Sequence, residues 1–250
     1  HLHLHETAIG WQNDAESRGK ILRIWPKFNF ALGRDMDGRN GLMDDPDGDQ
    51  IPGITLSGSE CLVFFLGGMP ALDANGNFFM TGFSRNPTNP FLPRAGDESR
   101  DGPFFDFPSA RLTDIDVGLT GTALGAASDR FPEFIDSLSN QNAPYLYLSS
   151  RGGRGYDDHG GCVFFHPHPT ASNPAFLNRD SAYRQTAGGP WWNAKSFQII
   201  SPGFGPHENA AGQFCPYGIS DVYDPEDTSA LSEQDADNIT NFSAGGRLKP

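Results

Sequence analysis

"KSFQIISPG", residues 195–203, is the segment that predicts most about the fold of this chain. Side chains along a β-strand point alternately to its two faces, which places Phe197, Ile199 and Ser201 on one face of an extended segment. The isoleucines and the phenylalanine favour a strand, and the closing proline and glycine end it. The segment therefore predicts a β-strand, which must pair with other strands of the chain in a sheet.

A second clear strand is predicted at residues 143–150, "APYLYLSS", where two tyrosines alternate with two leucines. No other segment shows so regular a period of two. Weaker candidates are "GPFFDFPSARLTDIDV" (102–117), with Phe105 and Phe107 on one face, "GCVFFHPHP" (161–169) and "NITNFSAGGRLKP" (238–250).

The best candidate for a longer helix lies near the start of the chain. Residues 13–25, "NDAESRGKILRIW", offer Asn13 or Asp14 as the capping residue, and their apolar residues recur on one side. Pro26 ends the segment, because proline cannot continue a helix through its own amide.

A shorter helix is predicted at residues 57–68, "SGSECLVFFLGG". Ser57 followed three positions later by Glu60 is a capping-box pattern, and the two glycines at the end are typical of a helix C-terminus. Because the residues between are almost all apolar, we expect this helix to be buried.

Glycine and proline together are abundant, with 30 Gly and 20 Pro in 250 residues, so long loops must join short elements. We expect an α+β fold in which an N-terminal helix packs on a small antiparallel β-sheet with long irregular loops. The predicted organisation is a helical segment over residues 1–32 and a single loop-rich head over residues 33–250.

The formal net charge of −13 argues against two classes of partner. An acidic surface repels the phosphates of nucleic acids and anionic lipid headgroups, and it attracts divalent cations. No stretch reaches the roughly 20 apolar residues that a membrane span needs. We therefore expect no nucleic-acid partner and no direct membrane contact from this sequence.

Residues 33–53, "GRDMDGRNGLMDDPDGDQIPG", form an acidic loop that is either simply solvated or a calcium site. Calcium takes six to eight oxygen ligands, and aspartates alternating with glycines can supply several from one loop. The EF-hand pattern fails, because its twelfth position, counted from Asp35 or Asp37, is not a glutamate. The candidate ligands are Asp35, Asp37, Asp45, Asp47 and Asp49.

Signatures of catalysis are weak. His166 and His168 are two residues apart and could share a zinc ion in a hydrolase, but no HEXXH motif supports them. The sequence contains no GxSxG elbow, phosphate loop or dinucleotide fingerprint. We therefore predict a protein that is not an enzyme.

The three cysteines do not form a CxxC pair, which argues against zinc ribbons and thioredoxin-like sites. Cys61 lies in an apolar run and is expected to be a small core residue. Cys162 and Cys215 lie in loop sequence and could pair in an oxidising compartment.

Three segments in the last half of the chain resemble a known family: "APYLYLSSRGGRGYD" (143–157), "KSFQIISPGFGP" (195–206) and "DADNITNFSAGGRLKP" (235–250). They are similar to the C-terminal half of bacterial type II secretion pseudopilins and type IV pilin-like proteins. In particular they resemble a large, loop-rich branch whose members also carry blocks such as "SxEcLVFFLGG", "NPxNPF" and "GPFFxF". The resemblance covers residues 55–250 in scattered blocks.

The resemblance implies a pilin-like head and a structural role in a pilus-like or pseudopilus filament. Partners would then be copies of the chain itself and other pilin-like subunits, in the cell envelope or outside the cell. Family members also carry a hydrophobic N-terminal helix, their only contact with the membrane, which these 250 residues lack. We expect that the chain was either cut downstream of that helix or has lost it.

The resemblance also implies calcium, because such pseudopilins bind it through the loop before the last strand. The matching positions here are Asp235 and Asp237, with Asp221 and Asp224 as further candidates. One departure is the segment after "ISPG", which lacks the aspartate and glycines usual in the family.

An alternative function is an extracellular calcium-dependent binding or surface-layer module. Such a protein would present an aromatic cleft, for which "AYRQTAGGPWWNAK" (182–195) offers Tyr183, Trp191 and Trp192. The competing interpretation is that these tryptophans pack under a loop.

Overall fold

The computed structural model describes residues 2–32, 53–94, 96, 99–114, 131–138, 143–150, 153, 155–156, 182–204, 217–218, 220–243 and 248. Helices and small antiparallel sheets are mixed along the chain, so the predicted α+β class is confirmed. By its internal contacts the chain divides into two compact units, His1–Phe134 and Ile135–Pro250. The predicted division into segments 1–32 and 33–250 stays a prediction.

The first unit contains eight strands and three α-helices in its described residues, besides a short 3-10 helix at Ser109–Arg111. In chain order they are β1 (Leu2–His5), α1 (Ala8–Asn13), α2 (Ala15–Ile24), β2 (Gly53–Leu56), α3 (Gly58–Gly67), β3 (Pro70–Leu72), β4 (Phe78–Met80), β5 (Phe83–Ser84), β6 (Arg100–Asp101), β7 (Leu112–Thr113) and β8 (Glu133–Phe134).

The strands of the first unit pair two by two, as antiparallel β1–β2, β3–β4, β5–β6 and β7–β8. Helices α1 and α2 lie against β1, where the amide of His3 donates to Ser17 Oγ over 3.1 Å. The core is largely aromatic: the Phe64 ring packs against Phe83 and Phe91 at 5.2 and 5.5 Å between centroids. Edge-to-face pairs of this kind add to the stabilisation from burial alone.

Helix α2 confirms the prediction of a long helix near the start of the chain. Asp14 is its N-cap, with Oδ1 accepting from the amide of Ser17 at 2.9 Å, and Trp25 follows its last residue. The other oxygen of Asp14, Oδ2, lies 3.1 Å from Nε2 of the buried His5 on β1. One carboxylate thus joins the helix start to the β1–β2 sheet.

Replacing Asp14 with alanine should lower the free energy of unfolding of the first unit by about 1 kcal/mol at neutral pH, the usual cost of losing a cap. Burial raises the pKa of Asp14, but hydrogen bonds from Ser17 and His5 and attraction to His5 outweigh it, so the pKa lies below its usual value. The stabilisation is therefore complete above the unfolded-state pKa of about 3.9 and is lost as pH falls through the folded-state pKa.

Hydrogen exchange of the α2 amides at several pH values measures this difference. The exposed Glu16 of the same helix turn is the comparison, and its alanine variant, which loses an exposed ion pair with Lys20, should lose only about 0.5 kcal/mol. A difference between wild type and Asp14→Ala that does not shrink in acid would contradict the assignment.

Helix α3 confirms the predicted capping box. Ser57 Oγ accepts from the amide of Glu60 at 3.2 Å, and the Glu60 side chain accepts from the Ser57 amide. Cys61 is buried in this helix, and burial raises the pKa of its thiol to about 11, which fits a core residue. Of the helices within the described ranges, none combines the length and apolar character needed to cross a membrane.

The strand predicted at residues 102–117 is wrong for most of its described length. Only Leu112–Thr113 form a strand, and Phe105 is exposed whereas Phe107 is buried. The physical reason is that the amides of Phe104 and Phe105 both donate to the carbonyl of Leu66 near the end of α3. These donors cap a helix C-terminus, so they are not available for a strand ladder.

The second unit contains one three-stranded antiparallel sheet, with β9 (Leu146–Ser149), β10 (Phe197–Ser201), α4 (Glu233–Asp237) and β11 (Ile239–Thr240) as its described elements. The strand order is β11–β10–β9, and Ile200 is paired with Leu146 on one side and Thr240 on the other. The strands predicted at residues 143–150, 195–203 and 238–250 are thus confirmed. The segment 161–169 lies outside the described residues.

The core face of β10 carries Gln198 and Ile200, which are both fully buried. Phe197, on the opposite face, is 40% exposed, and Ile199 is half-buried. The predicted alternation is confirmed from Phe197 to Ile200, but the apolar side chains at Phe197 and Ile199 do not mark the core side. Ser201, predicted on their face, is fully buried. A glutamine in the core needs hydrogen-bond partners on every side, and these define the site described next.

Candidate functional site

Many residues predicted from the sequence to bind metals or form a disulfide lie outside the described residues. The calcium, zinc and disulfide hypotheses at those positions stay predictions. They are Asp35, Asp37, Asp45, Asp47 and Asp49 of the acidic loop, His166, His168, Cys162 and Cys215.

The loop before the last strand is described, and it is organised by α4. Ser232 is the N-cap of this helix, accepting from the amide of Asp235 at 3.1 Å, and the Asp235 side chain accepts in return from the Ser232 amide. This capping box holds the Asp235 carboxyl group at the helix start. The same side chain is fully buried.

The Asp235 carboxyl group accepts hydrogen bonds from several protein donors. Its Oδ1 accepts from Tyr183 Oη at 3.0 Å and from the Ser220 amide at 3.2 Å. Its Oδ2 accepts from Ser232 Oγ at 2.6 Å and from the Ser220 amide at 3.1 Å. A carboxylate offers about four lone-pair sites, so these donors and the Ser232 amide occupy its capacity.

Gly218 lies directly against this carboxyl group. Its φ is +72°, and a Cβ atom at this position would overlap the Asp235 side chain. Asp235 is thus enclosed by backbone as well as by donors. In this geometry Asp235 directs its lone pairs at protein donors, whereas a calcium ligand directs a lone pair at the ion.

The other three candidate calcium ligands are placed differently. Asp237 is 6% exposed, and its carbonyl group lies so close to Gly203 that a Cβ there would overlap it. Asp221 is exposed, and its carbonyl oxygen accepts from the Arg184 amide at 2.7 Å. Asp224 accepts from the Glu226 amide at 2.9 Å in a surface turn.

Across the described ranges, no group of three or more His, Cys, Asp or Glu side chains is arranged to hold a metal ion. The structure therefore does not assemble the Asp221, Asp235 and Asp237 set into a metal centre within the part of the chain that it describes. Calcium binding stays a prediction from the sequence.

Two buried amides complete the cluster around Tyr183. Gln198 Oε1 accepts from the Tyr183 amide at 2.8 Å, and its Nε2 donates to the carbonyls of Tyr183 at 3.0 Å and Trp192 at 2.8 Å. Asn238 Nδ2 donates to Tyr183 Oη at 2.9 Å and to the Tyr217 carbonyl at 2.7 Å. Tyr183 Oη therefore accepts from Asn238 and donates to Asp235.

We call Tyr183, Gln198, Asp235 and Asn238 the polar cluster. All four side chains are fully buried, and they join segments that lie far apart in the sequence. Since their hydrogen bonds go to other protein groups, the cluster can fix these segments relative to each other.

Gln198 and Asn238 are not among the residues predicted from the sequence. Gln198 could have been found from its place on the predicted strand. It lies between Phe197 and Ile199, so its side chain points to the opposite face of the strand. A polar residue on the face that must cover a core is informative, because burying it without partners is costly.

The aromatic cleft expected for a binding module is not formed by the three candidate residues. Tyr183 is fully buried in the polar cluster. The Arg184 guanidinium covers the Trp191 ring at 3.4 Å from its centroid, and Trp192 Nε1 donates to the Tyr223 carbonyl at 2.9 Å. The two tryptophans thus have packing and hydrogen-bonding partners within the second unit.

Comparison with known proteins does not add to these observations: no family model, no curated protein and no solved structure matches the chain. Inference about function therefore depends on the residues and the geometry described above.

Proposed function

We propose that this chain is a structural, non-catalytic subunit of a pilus-like or pseudopilus filament, of the type II secretion or type IV pilin-like kind. One observation carries the proposal. The three segments that resemble pseudopilins contain β9, β10 and β11, which pair with one another in a single antiparallel sheet. Segments that resemble one family and also meet in one sheet support a common pilin-like head.

The polar cluster supports a structural role. Its side chains form their hydrogen bonds with neighbouring protein groups. These bonds connect the short strands and long loops of the second unit. Ordering such connections costs backbone entropy, and buried hydrogen-bonded networks help to offset that cost. A scaffold of this kind suits a subunit whose surface makes contacts with other subunits.

The proposal places the chain in the cell envelope or outside the cell, among copies of itself and other pilin-like subunits. Calcium enters the proposal through the carboxylates named from the sequence, in the acidic loop at residues 33–53 and before the last strand. Of these, Asp235 accepts hydrogen bonds from protein donors. An ion bound only to the folded form would stabilise that form by mass action.

The test is to locate the protein in the cells that make it. Filaments are sheared from the cell surface, collected by centrifugation and probed with an antibody raised against the 250-residue chain. We expect the protein in the filament fraction and along filaments in immunogold electron microscopy. Recovery only from the cell interior, with unlabelled filaments, would contradict the proposed function.

A further inference from the structure

The three-stranded sheet of the second unit has an outer face that carries aromatic side chains. Tyr147 and Ser149 on β9 lie directly opposite Ile199 and Phe197 on β10, and residues paired in this way point to the same face of a sheet. The rings of Tyr147 and Phe197 are 5.8 Å apart between their centroids and 39° from parallel. The two rings therefore lie side by side on one surface.

One end of this outer face is open to solvent. Phe197 is 40% exposed, Ser149 opposite it is exposed, and Tyr147 and Ile199 are half-buried. An aromatic ring on a sheet surface is accessible over its flat side to a molecule that lies against the sheet. The open end can therefore receive a ligand without any change in the strands.

The other end of the same face is closed by the second unit itself. Asp136 Oδ2 accepts from Ser201 Oγ and from Tyr145 Oη, both at 2.7 Å. Ser201 is fully buried there. A ligand on this face would thus contact the open end, around Phe197.

Two asparagine amides flank Phe197. Asn193 Nδ2 and Asn241 Nδ2 both donate to the Phe197 carbonyl, at 3.1 and 3.3 Å. Asn241 Oδ1 accepts from the Ile199 amide at 3.0 Å, which fixes the plane of this side chain. An amide nitrogen carries two hydrogens, and the bond to Phe197 uses one from each asparagine. Asn241 is exposed and Asn193 is half-buried, so each can offer its second hydrogen to a bound molecule.

Asn193 is held in place by its own backbone. It has a φ of +48°, and its carbonyl oxygen accepts from the Ser196 amide at 2.9 Å and from Tyr156 Oη at 3.0 Å. A group that is already fixed loses little conformational freedom when a ligand binds. The turn before β10 therefore presents the Asn193 amide in a prepared position.

The apolar area of this face is too small for a stable contact with a second copy of the chain. An aromatic side chain buries at most about 250 Å², so the exposed part of Phe197 amounts to about 100 Å². Tyr147 and Ile199 are less exposed, whereas a stable protein–protein interface covers roughly 800 Å² on each partner. A second copy would also bring the same net charge of −13 and be repelled.

The chemistry of the face matches an uncharged carbohydrate. Tyr147, Ser149, Phe197 and Ile199 carry no charge at neutral pH, and the net charge of −13 repels anionic ligands. The C–H groups on the flat side of a pyranose ring pack against aromatic rings, and its hydroxyl groups accept hydrogen bonds from amides. A lipid chain could cover the rings, but it would leave the asparagine hydrogens buried without acceptors, which is costly.

We propose that this face binds a neutral polysaccharide. Sugar rings stack on Phe197 and Tyr147, and their hydroxyl groups accept from the amides of Asn193 and Asn241. We call these four residues the glycan face. Binding at this face goes beyond the proposed filament function and does not require assembly, so a single chain in solution should show it.

The test uses variants of the full 250-residue chain that separate stacking from simple apolar contact. Phe197→Leu keeps an apolar side chain but removes the flat ring, and Phe197→Trp keeps an aromatic ring. Asn193→Gly removes one amide outside the strands and is compatible with the positive φ. Phe104→Leu is the matched control, because it makes the same change at a phenylalanine of the first unit that is 67% exposed.

Depletion of the protein by insoluble cellulose, chitin and cross-linked dextran measures binding, with polygalacturonate as the anionic comparison. We expect the wild type to bind at least one neutral polysaccharide equally in low and high salt, since no charge takes part. Phe197→Leu should bind about tenfold more weakly and Asn193→Gly about threefold, whereas Phe197→Trp and Phe104→Leu should match the wild type. Equal hydrogen exchange of the β10 amides in all variants shows that weaker binding is not caused by unfolding.

A wild type that binds none of the three neutral polysaccharides would overturn the proposal, and so would equal binding by Phe197→Leu. Binding to polygalacturonate alone, lost in high salt, would show a contact between charges instead. Self-association in sedimentation velocity that Phe197→Leu abolishes, without binding to polysaccharide, would assign the face to a second copy. Because the filament fractionation uses no polysaccharide, either function can fail while the other stands.

Discussion

Replacing Asp235 with alanine is expected to destabilise the second unit by about 3 kcal/mol or more. The substitution removes the acceptor for Tyr183 Oη, for the Ser220 amide and for Ser232. Each of these donors is then buried or half-buried without its partner, and α4 loses its capping box. The neighbouring Gly218 has no side chain that could fill the space left by the Asp235 carboxyl group.

Hydrogen exchange of the β10 amides measures the stability of this unit, and exchange of the β1 amides shows whether the first unit is affected as well. Asp221→Ala is the matched control, because this exposed aspartate lies in the same surface segment and should change the stability by about 0.5 kcal/mol at most. A loss of similar size in both variants would contradict the role given to Asp235.

The same experiment distinguishes a hydrogen-bond acceptor from a calcium ligand. If Asp235 stabilises the unit through Tyr183, Ser220 and Ser232, the cost of Asp235→Ala is equal with calcium and with a chelator. If it binds calcium, the cost falls when the chelator is present, because the wild type then loses the same ligand interaction. We expect no dependence on the chelator.

Local patterns predicted those elements whose determinants lie next to each other in the sequence. Asp14, Ser57 and Glu60 mark helix starts through bonds that span three residues, so a short motif contains all the information. The strands β9 and β10 were found from their alternation for the same reason. Local hydrogen bonds do not depend on the rest of the fold.

The failures arose where distant residues decide the outcome. The segment at Phe104 and Phe105 looked like a strand, but the carbonyl of Leu66, nearly 40 positions earlier, takes both of its amides. The hydrogen-bond partners of Asp235 were not predicted either, because one of its donors is Tyr183, 52 residues away in the sequence, which no local pattern could indicate.

Replacing Gly68 with alanine is expected to destabilise the first unit by about 3 kcal/mol or more, through a clash between two backbone segments. Gly68 follows the last residue of α3 with φ of +86°, and it forms a bridge to Gly82. A Cβ atom at Gly68 would overlap the main chain of Gly82. Backbone cannot rotate away as a flexible side chain can, so the end of α3 and the start of β5 must separate.

Gly76→Ala separates this clash from the cost of the backbone conformation. Gly76 has nearly the same φ, +83°, but no atom lies within 4 Å of the Cβ position there. The Gly76→Ala variant should lose about 1–2 kcal/mol of stability, which is the cost of placing alanine in the left-handed conformation. Hydrogen exchange of the β1 amides compares the two variants. Because Gly68 and Gly76 share a backbone conformation, the extra loss of stability in Gly68→Ala measures how closely the backbone segments at Gly68 and Gly82 approach each other. Equal losses of stability in the two variants would show that this approach is not tight.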